Sequence, residues 1–397
     1  MTAESRRGDR ILRRALGVML PTETETDLLR AILHSGDEGR RAWQQWHRRV
    51  ENPLTAFERI HSQQKGLVPL LHLAAVRNGV QVDPTFATFL RAAYFREELR
   101  GNTYRRILRE TLEALGPSAP APVVLRGCAL SDAVYDVPNA RHSHGINLLL
   151  HNVDSHGPGE RLRSIGFKPA RGRAGSRGSP FPLSWRHTTG LPLELHTKLL
   201  DVPYYSAPMG DVWSRVRPLP GWEPVAGMLG REHALLHVCG HAAYSASRTS
   251  LSWACDAWLL IAREPALDWT LFLDATKAAN LGVPMSIMMR YLADSLYAPV
   301  PAGIIAALDT LAENSDGVGW EIAVLGALGG AHARMRRIIA TAPDWSARLT
   351  LIRCLLAPSP ASMREMEYAP ERWRLPYYYM KRPLIYAARA ASRLAAP

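Results

Sequence analysis

Hydrophobic positions change their period twice along the chain, and the changes divide it roughly into thirds. From residue 86 to 115, Phe86, Phe89, Leu90 and Ala93, then Tyr104, Ile107, Leu108, Leu112 and Leu115, recur at helical spacing with arginines and glutamates between them. That period predicts a long amphipathic helix, started by an Asp83-Pro84 cap and stopped by Gly116-Pro117. Upstream, Pro21-Thr22 opens a helix carrying Leu28, Leu29, Ile32 and Leu33, Asn52-Pro53 opens another, and a third begins at Leu67 after Gly66. Residues 1 to 20 read as a basic leader. The first 116 residues therefore predict a helical unit.

The middle third reads differently. Val123-Val124-Leu125 follows a proline-rich linker and stops at Arg126-Gly127, which predicts a buried strand turning sharply into a helix over 128 to 135. A second apolar run follows at 146 to 150. Residues 183 to 187 and 191 to 196, joined by Thr188-Thr189-Gly190, read as a hairpin. Side chains alternate across a strand, so Gly145 and Asn147 share one face and Glu194 and His196 share one face of the later strand. Chemistry is expected where those faces meet. Between them, residues 168 to 182 contain RGRAGSRG and no apolar period; they fit a phosphate-meeting loop or a surface loop without a role, and no Walker-type Lys-Ser/Thr follows. From Gly221 onward strand signals vanish and helices are expected at 231 to 246, 269 to 278, 284 to 296, 302 to 312 and 319 to 337. The expected fold is α+β: a small mixed-sheet core over 117 to 222, flanked by helical units at 1 to 116 and 223 to 397.

Composition narrows the class. With 397 residues, 47% hydrophobic and 21% charged, the chain is that of a globular protein with more than one core. The charge of +12 comes almost wholly from arginine, since Lys65, Lys168, Lys198, Lys277 and Lys381 are the only lysines. Such an excess suits an anionic partner, and it equally suits arginines scattered over solvated surfaces. Cys128, Cys239, Cys255 and Cys354 show no metal-finger spacing, the first residues lack a signal-peptide pattern, and no apolar run is long enough to span a bilayer. A soluble cytoplasmic protein with reduced thiols and no membrane partner is expected. His233, His237 and His241 fall on one helical face. Zinc is the sharp reading, and packed, hydrogen-bonded histidines are the one that a single helix favours. The basic, aromatic tail WRLPYYYMKRPL reads as a helix docked on the domain.

The Arg-Gly turn, the helix ending near Tyr135, Arg141, the strand opening at Gly145, the Glu-Leu-His strand, the helix with His237 and His241 followed by Trp253 and Asp256, and the YYYMKRPL tail together resemble an uncharacterised bacterial nucleotidyltransferase-like family of the polymerase-beta superfamily. The resemblance implies a nucleotidyltransferase-like core that uses magnesium and a nucleoside triphosphate. It implies a catalytic carboxylate at Glu194, nucleotide-binding roles for Arg126, Gly127, Arg141, Asn147, His196 and Lys198, and a small-molecule or peptide acceptor. One departure stands against it. Where such enzymes carry Asp-x-Asp, this chain has Gly145-Ile146-Asn147, so two of three metal-binding carboxylates are absent and no metal ligand is assigned. Asp154, His144 and His151 are the nearby residues that could replace them.

Three readings follow. The chain is a nucleotidyltransferase-like enzyme with a degenerate metal site, or an inactive binding or regulatory module on that fold, or a nucleic-acid-binding protein relying on its charge. No helix-turn-helix, zinc finger or RNA-binding signature accompanies the third.

Overall fold

The computed structural model describes residues 20–59, 64–118, 120–151, 157–170, 182–245, 251–263, 266–315, 318–320, 322, 331–342, 344–357, 360, 363, 372–381 and 383–384. The leader, the RGRAGSRG stretch and Asp154 lie outside the described residues, as does part of the helix expected over 319 to 337.

Local chemistry sets the helix ends. Thr22 caps α1 (Glu23–Leu33): its hydroxyl accepts from the Glu25 amide at 3.3 Å, and the Glu25 carboxylate accepts from the Thr22 amide at 2.7 Å. Two donors that a helix start leaves free are thereby satisfied. α2 (Gly36–Arg49) and α3 (Pro53–Arg59) follow, and α4 (Val68–Asn78) stops at Gly79, which takes the left-handed conformation of a helix terminator at φ 58°. The long helix α5 (Pro84–Leu115) starts as expected at Asp83, which accepts from the Thr85 and Phe86 amides at 2.9 and 3.1 Å.

The sheet comes from β1 (Val123–Val124), β2 (Ile146–Leu149), β3 (Phe167–Pro169), β4 (Leu183–His187), β5 (Pro192–His196), β6 (Arg217–Pro218) and β7 (Gly227–Met228). Its order is β3-β4-β5-β2-β1-β7-β6. Central β2 runs parallel to β5 and antiparallel to β1, and β4 and β5 form the expected antiparallel hairpin. The helices α6 (Gly127–Val134), α7 (Gly157–Ser164) and α8 (Met209–Ser214) lie between strands in sequence. The mixed sheet with helical flanks is the expected α+β architecture. Its extent differs from expectation, because strand structure does not vanish at Gly221: β7 pairs parallel with β1 and carries β6 at the edge. A strand of two residues is too short to show alternation. What permits it is Gly227, where a Cβ would stand 2.6 Å from Val216 Cγ1 and 3.2 Å from the Arg217 carbonyl oxygen.

Alternation gives the sheet two unlike faces. On one, Val124, Ile146, Leu148, Leu193 and Leu195 pack with Ile107, Leu108 and Leu112 of α5 and Leu162 of α7. On the other, Val123 and Leu149 join a larger core that holds Leu28 and Leu29 of α1 as well as Leu235, Leu236 and Cys239 of α9 (Arg231–Ser245). Helices α10 (Ser252–Ala262), α11 (Trp269–Ala278), α12 (Gly282–Leu296) and α13 (Ala302–Glu313) complete that core, so packing crosses chain positions 116 and 222. α14 (Ala331–Ala340) and α15 (Trp345–Leu356) follow. In the tail, Trp373, Tyr377, Met380 and Leu384 recur at helical spacing but are 60% to 72% exposed, so this apolar stripe is not docked as expected.

One buried ion pair joins the region after α6 to the carboxyl-terminal helices. Asp256 of α10 accepts from Arg141 Nε at 3.1 Å and Nη2 at 2.6 Å, and from the Tyr135 hydroxyl at 2.6 Å. Arg141 is 10% exposed and Asp256 3%. Removing one partner of a buried pair strands the other, at a cost of about 3–5 kcal/mol. Asp256→Ala is therefore expected to lower unfolding stability by about that amount, whereas Asp136→Ala, which removes the solvent-exposed partner of Arg263, is expected to leave the urea midpoint nearly unchanged. Equal effects of the two substitutions would show that the pair is not the joint described.

Candidate functional site

The site is built on the residue where β1 becomes α6. Arg126 adopts φ 53° and ψ −130°, a backbone conformation that costs a side-chain-bearing residue about 1–3 kcal/mol. The turn carries its guanidinium over the polar positions of β2 and β5. Asn147 and Glu194 are register partners across those parallel strands, so their side chains share a face. Arg126 Nη2 donates to Asn147 Oδ1 and stands 3.5 Å from Glu194 Oε2, while Nη1 donates to His241 Nε2 on α9. His196, one alternation beyond Glu194, places Nε2 at 3.3 Å from Asn147 Oδ1 and 3.6 Å from Glu194 Oε2. Its Nδ1 lies 3.4 Å from Asp201 Oδ1. Side-chain exposure is 3% for His196, 19% for Arg126 and 39% for Glu194, so solvent reaches the group mainly beside Glu194.

Electrostatics assign the protons. Hydrogen bonding to His196 lowers the Glu194 pKa, with Arg126 adding to the effect and burial opposing it. For His196 burial is the largest single influence and lowers the pKa, yet Asp201 and Glu194 together outweigh it and the net shift is upward. His241 moves the other way. Burial, then Arg126 and the neighbouring histidines, hold its pKa well below the ordinary value, so a neutral ring can accept from Arg126 through the Nε2 lone pair. His237 is likewise held neutral by burial and by Arg126, with ring centroids 6.1 Å from His241. His233 stands 3.1 Å from Asp211 instead. Among the described residues no cluster of three or more His, Cys, Asp or Glu is placed to hold a metal ion.

The residues present do not fit the magnesium that the fold implies. A Cβ at Gly145 would stand 2.7 Å from the Pro192 carbonyl oxygen and 2.9 Å from Pro192 Cγ, so the backbone leaves no room for a carboxylate there. Asn147 offers one neutral oxygen, which already accepts from Arg126 and His196. Among the described residues Glu194 is the one carboxylate on these two strands, Asp201 lies on the far nitrogen of His196, and the Arg126 guanidinium contacts both Glu194 and Asn147. A hard divalent cation requires several anionic oxygens, and here a fixed organic cation bridges the two side chains that would supply them.

The other expected residues divide by role. A Cβ at Gly127 would overlap Ser143 Oγ and approach Arg141 Nη1 to 3.0 Å, so glycine at this position reflects close packing of the turn. Arg141 is engaged by Asp256 and the His142 carbonyl, and its charge bears on Arg126 without a bond to it. Asp256 raises its pKa against the effect of burial. Lys198 is exposed, two residues beyond β5. His144 packs edge-on against His142, and His151 against Trp213, so neither joins the group. Sequence reasoning missed the positive φ of Arg126, the contact of His241 with it, and Asp201 as the partner of His196. The i, i+4 histidines did signal a helix near the site; nothing in the sequence marked Asp201.

A mixed sheet with an Arg-Gly strand-to-helix turn at its centre and a Glu-Leu-His strand beside it defines a nucleotidyltransferase-like core. The chain belongs to the family described as uncharacterised nucleotidyltransferase, whose sequence profile matches residues 61–297. No curated protein matches the chain, and no solved structure does.

Two outcomes test this geometry. Gly145→Ala is expected to destabilise the fold by about 1–3 kcal/mol through overpacking against Pro192, while Asn147→Asp, whose oxygen keeps both donors, is expected to be tolerated. Urea unfolding distinguishes them, and an unperturbed Gly145→Ala would remove the steric argument. The Glu194 and His196 pair adds a pH window. A lowered Glu194 pKa stabilises above its ordinary 4.5, and the gain is lost as pH falls through the lowered value. A raised His196 pKa stabilises below 6.5, and that gain is lost as pH rises through the raised value. Glu194→Gln is thus expected to lose most stability, under about 1 kcal/mol for so exposed a carboxylate, between those two ordinary values. Unfolding across a pH series should show the deficit shrink as pH rises through the raised His196 pKa and as it falls through the lowered Glu194 pKa; a constant deficit would show that the two groups do not act together.

Proposed function

We propose that this chain is a non-catalytic binding module on the nucleotidyltransferase fold, recognising the phosphate groups of a nucleotide without a divalent metal. The observation that carries the reading is the Arg126 guanidinium bridging Asn147 and Glu194. In a transferase of this fold those strand positions would hold metal, which steadies the attacking oxygen and the leaving pyrophosphate. Metal stabilisation of a transferring phosphoryl group is worth several kcal/mol, and each ~1.4 kcal/mol is tenfold in rate, so its loss leaves little transfer activity. Recognition has different requirements. The first turn of α6 has no side-chain cap, and a helix start presents free amides and partial positive charge to an anion. Arg126 adds a fixed charge, and exposed Lys198 stands two residues beyond the Glu-Leu-His strand. Glu194, open to solvent, is suited to a sugar hydroxyl or the acceptor rather than to phosphate, which it repels.

Thermal unfolding with ATP and GTP, each in magnesium and in EDTA, tests the reading. Stabilisation is expected to be the same in both conditions, to be lost in Arg126→Met, and to reach about 2.7 kcal/mol at a hundredfold excess over Kd. Pyrophosphate release is expected to be absent. A shift that requires magnesium would overturn metal-independent recognition, and no shift with either nucleotide would remove nucleotide recognition itself.

A further inference from the structure

A pocket of about 300 Å³ lies away from the Arg126 group, where the end of α1, α4, the exit of α6 and α10 fail to close on one another. Protein interiors hold few voids larger than a water molecule, and this volume reaches the range of small-molecule sites. Its walls are apolar, including Ile32, Leu70, Leu73, Val137 and Leu259. The polar groups that reach it are few, and each can be accounted for. Tyr135 turns its hydroxyl away, donating to Asp256 at 2.6 Å. Burial pushes the Cys255 thiol far above its ordinary pKa, so the wall holds a protonated sulfur and no thiolate nucleophile. At the rim the Asp136 carboxylate is taken by Arg263 Nη2 at 2.6 Å.

Arg77 is the exception. From the rim its Nη2 donates to the carbonyls of Ile32 and His34 at 2.6 and 2.8 Å, which closes the end of α1. Among the described residues Arg77 makes no ion pair, and its Nε and Nη1 make no hydrogen bond. The pocket therefore pairs an apolar interior with a cation at the mouth that makes no ion pair among the described residues; the rim carboxylate Asp136 is bound to Arg263 and acts on Arg77 only through its charge. Arginine favours carboxylates through charge-assisted hydrogen bonds, and apolar walls favour a hydrocarbon body.

We propose that this pocket binds a small amphipathic monocarboxylate, its apolar body between α4 and α10 and its carboxylate on Arg77. The site is separate from the Arg126 group, and the proposal does not rest on nucleotide recognition.

Octanoate and 1-octanol, matched in chain length and differing in charge, are the probes, titrated calorimetrically into the 397-residue chain. Octanoate is expected to bind one to one and at least tenfold more tightly than octanol. Arg77→Gln is expected to bring octanoate down to the level of octanol, and Leu73→Trp, which fills the pocket, to abolish both. Should Leu73→Trp fail to fold, Val137→Phe fills the same space from the opposite wall. Equal affinity for the two probes in the natural protein would overturn carboxylate recognition. Octanoate binding that survives both filling substitutions would place the ligand elsewhere, and no octanoate binding to the folded protein would remove the site.

Discussion

A single guanidinium holds the centre of this molecule. Arg126 lies where β1, β2, β5 and α9 converge, and its donors reach one residue on each of β2 and α9 while its charge faces one on β5. Burial lowers the pKa of this arginine, and Glu194 and Asp201 both oppose the shift, so two carboxylates together offset the enclosure of the cation. The two terminal nitrogens of Arg126 are held by Asn147 and His241 while its buried Nε has no hydrogen-bond partner, so removing either acceptor would strand a further donor in a low dielectric. The polar face of the sheet thus functions as a keyed joint for the helical layer, and the backbone strain at Arg126 is held in place by the contacts it makes possible.

A second joint supports the first from behind. Tyr135, Asp256 and Arg141 tie the exit of α6 to α10, and the Arg141 side chain packs where a residue larger than glycine at 127 would stand. The turn that aims Arg126 is therefore fixed at both ends of α6, by the sheet ahead and by the carboxyl-terminal helices beyond. The amino-terminal and carboxyl-terminal helices meet directly as well: Thr26 and Tyr291 share a 2.8 Å hydrogen bond and Arg30 donates to the Ser295 carbonyl at 2.6 Å, within one core.

Much of this was legible before any coordinates, where the chemistry was local. Asp83, Gly116 and the period of α5 are consecutive signals within one helix, and the Gly190 turn announces the β4–β5 hairpin. The pairing of Asn147 with Glu194 was foreseeable as two faces of alternating strands, though not its register. What escaped were decisions made by distant partners. β7 is two residues long, too short for a pattern, and is fixed by its neighbours. The ion pair of Arg141 escaped because its partner, Asp256, lies 115 residues away, and nothing local says that a buried carboxylate awaits it. The tail failed for the opposite reason: helical spacing shows that a stripe exists, and cannot say whether anything covers it.

The approach of Gly145 to Pro192 bears on engineering as well as on packing. A carboxylate at 145 cannot be installed by substitution alone, because a Cβ there would stand 2.7 Å from the Pro192 carbonyl oxygen. It would need a backbone shift in β5 and a new rotamer for Arg126 besides. The geometry acts as a latch: with the strands this close, a designer could alter what the cleft holds far more easily than build a pair of metal-binding carboxylates into it.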